Sequence, residues 1–337
     1  MIDLRSDTVT RPTPGMLEFM CKADVGDDVF KEDPTVNAFE QKVATMFGQQ
    51  AGLFVPSGTM SNQLCLNVLT QPGEEIILDE YAHIFNYESG AGAVLSGVQL
   101  RPLKGTRGLL NAEIVEAAIR PRNDWDPHTR VIALENTTNK GGGSWYDLET
   151  IQSIREVADR HQLALHLDGA RIWNALTEAD YSADEIGCLF DTISVCFSKG
   201  LGAPVGSMML SSEAHIKKAR RMRKMFGGGM RQIGMLAAAA DYALEHHFPL
   251  MKKDHERAVE LAKVIQASTN FEIDLDSVKT NILLFDVKNG TAESALAEMK
   301  AQGIAMSAFG PKTIRAVFHF QILENEFERV LEYFRAK

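Results

Sequence analysis

The sequence predicts a large α/β domain on a mainly parallel mixed sheet, followed by a small C-terminal α+β unit. Two observations carry this. Short, nearly continuous apolar runs alternate with helical patterns through the first two thirds of the 337 residues, as strands covered on both faces require. The last third then changes to a long helical stretch followed by short strands and two helices, so the expected division is 1–245 and 246–337.

The elements follow in order. PTVNAFEQKVATMFG places Val36, Phe39, Val43 and Met46 at helical intervals. GLFVPSGTMSNQLCLNVL reads as strand, glycine turn and helix, and EEIILD, RVIALEN, LALHLD, DTISVCF and GSMMLS read as further strands. DLETIQSIREVADRH reads as a helix with Asp147 as N-cap. Beyond a helical stretch near 230–267 come TNILLFDV, a helix over ESALAEMKAQ, the strands GIAMSAF and TIRAVFHF, and a final helix ENEFERVLEYFRAK.

Composition narrows the partners. A net charge of -10 argues against nucleic acid or an anionic membrane surface, which are bound through excess Lys and Arg. A small-molecule ligand fits better. Cys21, Cys65, Cys188 and Cys196 lack metal-site or disulfide spacing, and no apolar run is long enough to cross a bilayer. The expectation is a soluble cytoplasmic protein without a metal.

In a parallel sheet, ligands gather at the carboxyl ends of the strands, and three motifs fall there. Ser57, Gly58 and Thr59 lie where a strand gives way to a helix, and free N–H groups at a helix start favour an anion. A generic connector would look the same. Asp168, with Arg171 three positions on, ends another apolar run; a buried carboxylate there needs a cationic partner, although a capping Asp and a solvated Arg are the plainer alternative. Lys199 ends the next run. It is either a snorkelling lysine or a desolvated amine able to form an imine. Taken together, an anion cradle, a charge partner and an amine are the parts that pyridoxal 5'-phosphate needs.

The motifs LRSDTVT, VGDDVF, EDPTVN, PSGTMSNQ, HLDGARIWNA, SKGLGAPVGS and RKMFGGGMRQ resemble those of the low-specificity L-threonine aldolases, in the β-eliminating lyase group of fold-type-I (aspartate aminotransferase-like) pyridoxal phosphate enzymes. The resemblance implies a carbon–carbon lyase that cleaves β-hydroxy-L-amino acids to glycine and an aldehyde. It also implies a dimer or a tetramer of dimers with sites at the subunit interface. It makes Lys199 the amine joined to the cofactor aldehyde, Asp168 the partner of the ring nitrogen, and Ser57, Gly58 and Thr59 the phosphate cradle. Arg171 would contact the ring oxygen or the substrate carboxylate, with Ser6 and Arg315 as further carboxylate ligands. His83 would stack on the ring and take the hydroxyl proton, with Tyr87 beside the substrate. Lys224 and Arg231 would reach the phosphate of the neighbouring subunit.

Three positions depart from the family pattern. Trp125 stands where a second active-site histidine is common, with His128 three residues on; Thr138 replaces the histidine of ENTHN, and Phe30 a frequent tyrosine. Trp125 and His128 are therefore candidates for the substrate side-chain pocket, and Trp125 is also readable as a packed aromatic. Other outcomes on the same cofactor stay open: β-elimination, racemisation, transamination, or binding without catalysis.

Overall fold

The computed structural model describes residues 1–337. The first strand, β1 (Ile2–Asp3), stays outside the large sheet. That sheet contains β2 (Ala51–Val55), β3 (Glu75–Asp79), β4 (Gln99–Leu103), β5 (Thr129–Glu135), β6 (Ala164–Gly169), β7 (Thr192–Cys196) and β8 (Ser207–Ser211), in spatial order β2-β8-β7-β6-β5-β3-β4. Strands β7, β6, β5, β3 and β4 run parallel, and β8 is antiparallel to both of its neighbours. Strand β2 therefore points the same way as the parallel set. The carboxyl ends of β2, β3, β5, β6 and β7 share one edge.

Side chains alternate across each strand, and both faces are apolar. Phe54, Ile77, Ile132, Leu134, Leu165, Leu167 and Ile193 pack into the larger core. Leu53, Val55, Ile76, Leu78, Val131 and Ala133 pack beneath the helix Gly58–Leu69 on the other face. On β6 that second face carries His166 and Asp168, both buried, so the strand period alone aims two polar side chains at that helix.

Six of the seven strands of the large sheet match the apolar runs. The exception is β4, an edge strand whose residues are half-buried or exposed, so it leaves no apolar run to read. Asp147 caps its helix as expected, its Oδ1 accepting from the Thr150 N–H at 2.7 Å. The stretch near 230–267 is two helices, Gly234–His246 and Met251–Gln266, separated by a turn at Phe248–Leu250; Pro249 lacks the N–H that an unbroken helix needs. On the helix Pro34–Met46, Val36, Phe39 and Val43 are buried while Met46 is exposed.

The C-terminal sheet has the order β12-β13-β10-β9, from β9 (Phe271–Glu272), β10 (Ile282–Val287), β12 (Ser307–Ala308) and β13 (Thr313–Val317), all antiparallel. The N-terminal segment departs from the expected grouping. Strand β1 pairs in parallel with β11 (Ile304–Ala305), and Ile2 and Leu4 are buried in the C-terminal core with Phe271, Phe285 and Phe334. Two apolar side chains, at positions 2 and 4, thus attach the start of the chain to its last third.

Candidate active site

Five strand ends deliver the site. Beyond β2, Ser57 caps the helix Gly58–Leu69, its Oγ accepting from the Met60 N–H at 3.2 Å. The N–H groups of Gly58 and Thr59 have no acceptor within the chain and can receive an anion. A Cβ at Gly58 would lie 2.7 Å from the sulfur of Cys196, so glycine is what lets this helix start approach the end of β7. The cradle and the Lys199 loop are therefore neighbours.

Asp168 is the penultimate residue of β6, in register with Glu135 on β5 and Ser194 on β7. It is buried. Its Oδ2 accepts from the Asn62 amide at 2.8 Å and its Oδ1 from the Ala170 N–H at 3.2 Å. Beyond β3, His83 opens a short helix; its N–H donates to Glu135 Oε2 at 2.6 Å, and its Nδ1 lies 2.9 Å from Glu88 Oε1. One atom each of His83, Glu88 and Asp168 falls within 4.8 Å of the others. Burial alone would lower the His83 pKa, but the Glu88 hydrogen bond and the charges of Asp168 and Glu88 outweigh it and raise it. Tyr87 is exposed, its ring centroid 5.5 Å from that of His83.

Lys199, half-buried after β7, makes no ion pair with any carboxylate of the chain. Its carbonyl accepts from Thr10 Oγ1 at 2.9 Å, which ties the N-terminal segment to this loop. Arg171 is buried and clasps Asp7 with two bonds, Nε to Oδ2 at 2.8 Å and Nη2 to Oδ1 at 2.6 Å, leaving Nη1 unpartnered. Burial pushes the Asp7 carboxyl up, but Arg171, Lys199 and Arg315 pull it down to about 2. Arg315 on β13 donates to Asn139 Oδ1 at 2.7 Å and to the Arg5 carbonyl at 3.1 Å. Ser6 Oγ accepts from Thr8 Oγ1 at 2.8 Å.

Other candidates lie apart. Trp125 is 82% exposed. It and His128 precede the amino end of β5, where the His128 carbonyl accepts from the first N–H of β3; the seven-residue strand β5 then separates them from Asp168 by roughly 20 Å. Within one chain they cannot share a pocket with Lys199. Lys224 lines a cavity of about 990 Å³ with Lys31, Arg220 and Arg221, and Arg231 pairs with Asp27 at 2.9 Å. Neither bonds to Lys199, His83 or Asp168. Thr138 is buried, its Oγ1 donating to the Arg107 carbonyl at 3.0 Å, and Phe30 is exposed.

Sequence reasoning passed over Asp7, Asn62, Glu88, Glu135 and Asn139. Glu135 is buried, and burial followed by the charge of Asp168 raises its pKa to about 7. Its two oxygens accept from the His83 and Asn139 N–H groups, so it fixes the loops beyond β3 and β5 together. The available signal was positional: Glu135, like Asp168, ends an apolar strand.

The residues fit a pyridine-ring aldehyde phosphate. Two N–H groups without acceptors are free to receive a phosphate, a buried carboxylate with few donors suits a ring N–H, and the lysine amine is unpaired. The β-eliminating lyase family model matches residues 3–289. Low-specificity L-threonine aldolase 1 of Arabidopsis thaliana is 40% identical over 99% of this chain and 95% of its own. The low specificity L-threonine aldolase of Escherichia coli (strain K12) is 38% identical over 100% and 99%. The solved threonine aldolase of Leishmania major superposes with a TM-score of 0.87 at 20% identity, covering 100% of this chain and 99% of that one, which supports the fold. With full-length identity at this level and the family model spanning most of the chain, the protein belongs to the β-eliminating lyase family, among the low-specificity L-threonine aldolases.

Proposed function

We propose that this chain is a carbon–carbon lyase that cleaves L-threonine, L-allo-threonine and related β-hydroxy-L-amino acids to glycine and an aldehyde, using pyridoxal 5'-phosphate. The observation that carries this is the meeting of an unpaired lysine loop, a buried Asp168 and a helix start with free N–H groups at one sheet edge, within a chain 40% identical to a named aldolase.

In this reading Ser57, Gly58 and Thr59 hold the phosphate and Asp168 faces the ring nitrogen. When bound, the cofactor supplies an electron sink for the pair left at Cα as Cα–Cβ breaks. Lys199 provides the amine that meets the aldehyde and later returns a proton to Cα. Arg315, Ser6 and the free Nη1 of Arg171 fix the substrate carboxylate, Arg because its fork matches that group. His83, with Nδ1 turned to Glu88, presents Nε2 to the β-hydroxyl and takes its proton, while Tyr87 borders the side chain.

Self-association as a dimer or tetramer belongs to the same reading, and so does a cytoplasmic location. Phe30, Val94, Trp125 and Met225 are 69%, 80%, 82% and 68% exposed, and covering any of them with another copy would remove apolar surface from water. Lys224 and Arg231, and any substrate contact from Trp125 or His128, would then act in a neighbouring subunit's site. All four thiols are unpaired, as a reducing compartment would leave them.

The test is aldehyde release from L-threonine and L-allo-threonine by the cofactor-loaded protein, followed with a coupled reductase. Release is expected from both, and Lys199→Ala should abolish it, by about 10³-fold or more. Absence of aldehyde from every β-hydroxy amino acid offered would overturn the assignment.

A further inference from the structure

The helix Gly58–Leu69 carries more than a phosphate cradle. One turn in, it projects Asn62 onto the face of β6 that holds His166 and Asp168, with Gln63 beside it on Glu88, all of them buried. The Asn62 amide nitrogen donates to Glu88 Oε1 at 2.8 Å and to Asp168 Oδ2 at 2.8 Å. Its oxygen lies 3.3 Å from His166 Nε2, and His166 Nδ1 lies 2.9 Å from Thr192 Oγ1. The amide orientation is thereby settled: turned over, it would set its oxygen against two carboxylates. Burial lowers the His166 pKa to about 4, so this ring is neutral and donates from Nε2.

We propose that Asn62 and Glu88 are positioning residues that hold His83 in the tautomer with its proton on Nδ1 and tether it to Asp168 through one side-chain amide. The proposal deepens the reading of His83 and Asp168 given above. Glu88 Oε1 receives both His83 Nδ1 and the Asn62 amide, while Oε2 receives the Gln63 amide at 2.6 Å. An ionised carboxylate only accepts, so the proton between it and His83 sits on Nδ1 and the Nε2 lone pair is left for a substrate hydroxyl. The groups facing His83 are Glu88, Asp168, the backbone-bonded Glu135, Lys199 and the Tyr87 ring. Among the anions, Glu88 alone bonds to the imidazole. The chain His83–Glu88–Asn62–Asp168 therefore joins the proton acceptor to the ring-nitrogen partner by three hydrogen bonds.

The test uses ¹⁵N NMR of the His83 ring in the cofactor-free protein, with cofactor affinity as a second readout. Wild type should show the Nδ1–H tautomer. In Glu88→Gln the tautomer should persist, because an amide oxygen still accepts from Nδ1, but the ring should titrate about one pH unit lower, a tenfold change in its equilibrium. That variant should fold: Gln63 Oε1 is buried without a partner, so the Gln63 amide can turn to accept from the new NH₂. For the tether, Asn62→Leu combined with His166→Leu removes the amide without orphaning the His166 N–H. It should bind pyridoxal 5'-phosphate about tenfold more weakly, one lost charge-assisted bond. An Nε2–H tautomer in wild type, an unmoved titration in Glu88→Gln, or wild-type cofactor affinity in the double variant would each overturn the proposal. A wild-type protein that takes up no cofactor would instead sink the proposed function and leave the ring measurement readable.

Discussion

Asp7 and Arg171 form a buried two-bond ion pair that joins the N-terminal segment to the helix after β6. Removing one partner of such a pair strands a buried charge and costs about 3–5 kcal/mol. Asp7→Asn should lose stability of that order in urea unfolding. Its folded pKa of about 2 lies below the ordinary value of 3.8, so the pair's pH-linked stabilisation, about 2 kcal/mol, is present above pH 4 or so and is lost as pH falls toward 2. Asp7→Asn should flatten the stability profile in that window.

Gly58 and Cys196 are a second coupled pair. Gly58→Ala should destabilise the protein by about 1–3 kcal/mol, the usual range for overpacking, because its Cβ would sit 2.7 Å from the Cys196 sulfur. Adding Cys196→Ala should recover most of the loss. Thermal unfolding of the two single variants and the double variant reads the coupling, expected on the order of 1 kcal/mol.

Arg315 is held by Asn139, by the Arg5 carbonyl and by the Phe309 ring, whose centroid is 4.8 Å away. Arg315→Lys keeps the charge but loses the fork. Steady-state kinetics should show KM rising about tenfold or more, the equivalent of about 1.4 kcal/mol, with a smaller change in kcat. Asn139→Ala should move KM in the same direction and by less.

Glu135→Gln tests the clamp between the loops beyond β3 and β5. Both carboxylate oxygens accept backbone N–H groups, so an amide must turn its NH₂ toward one of them. One unsatisfied buried N–H costs about 1–3 kcal/mol. A fall in kcat of about tenfold is expected, together with a change in KM, because His83 and the Arg315 support move together.

The sequence made the scaffold readable wherever a strand is buried on both faces, because a continuous apolar run leaves few alternatives. Strand β4, half-exposed at the edge, offered none. The placing of Lys199, Asp168 and Gly58 at one sheet edge was legible for the same reason: each stands at the end of such a run or just beyond it. Asn62 and Glu88 were not, because a polar residue on a helix or in a loop looks solvated until folding buries it. Trp125 shows the converse, since alignment to a motif fixes a position in the chain while strand direction decides which edge of the sheet it reaches within one subunit.

Strand β1 has a consequence for how the protein is made. Ile2 bonds to Gly303, and Leu4 accepts from Val317 at 2.9 Å, while Asp7, three residues on, completes the surroundings of Arg171. Residues 2–4 cannot dock until residues 303–317, far along the chain, have been made. The large sheet draws on no residue beyond Ser211, whereas the segment that brings Asp7 to Arg171 is anchored only once residues 303–317 exist.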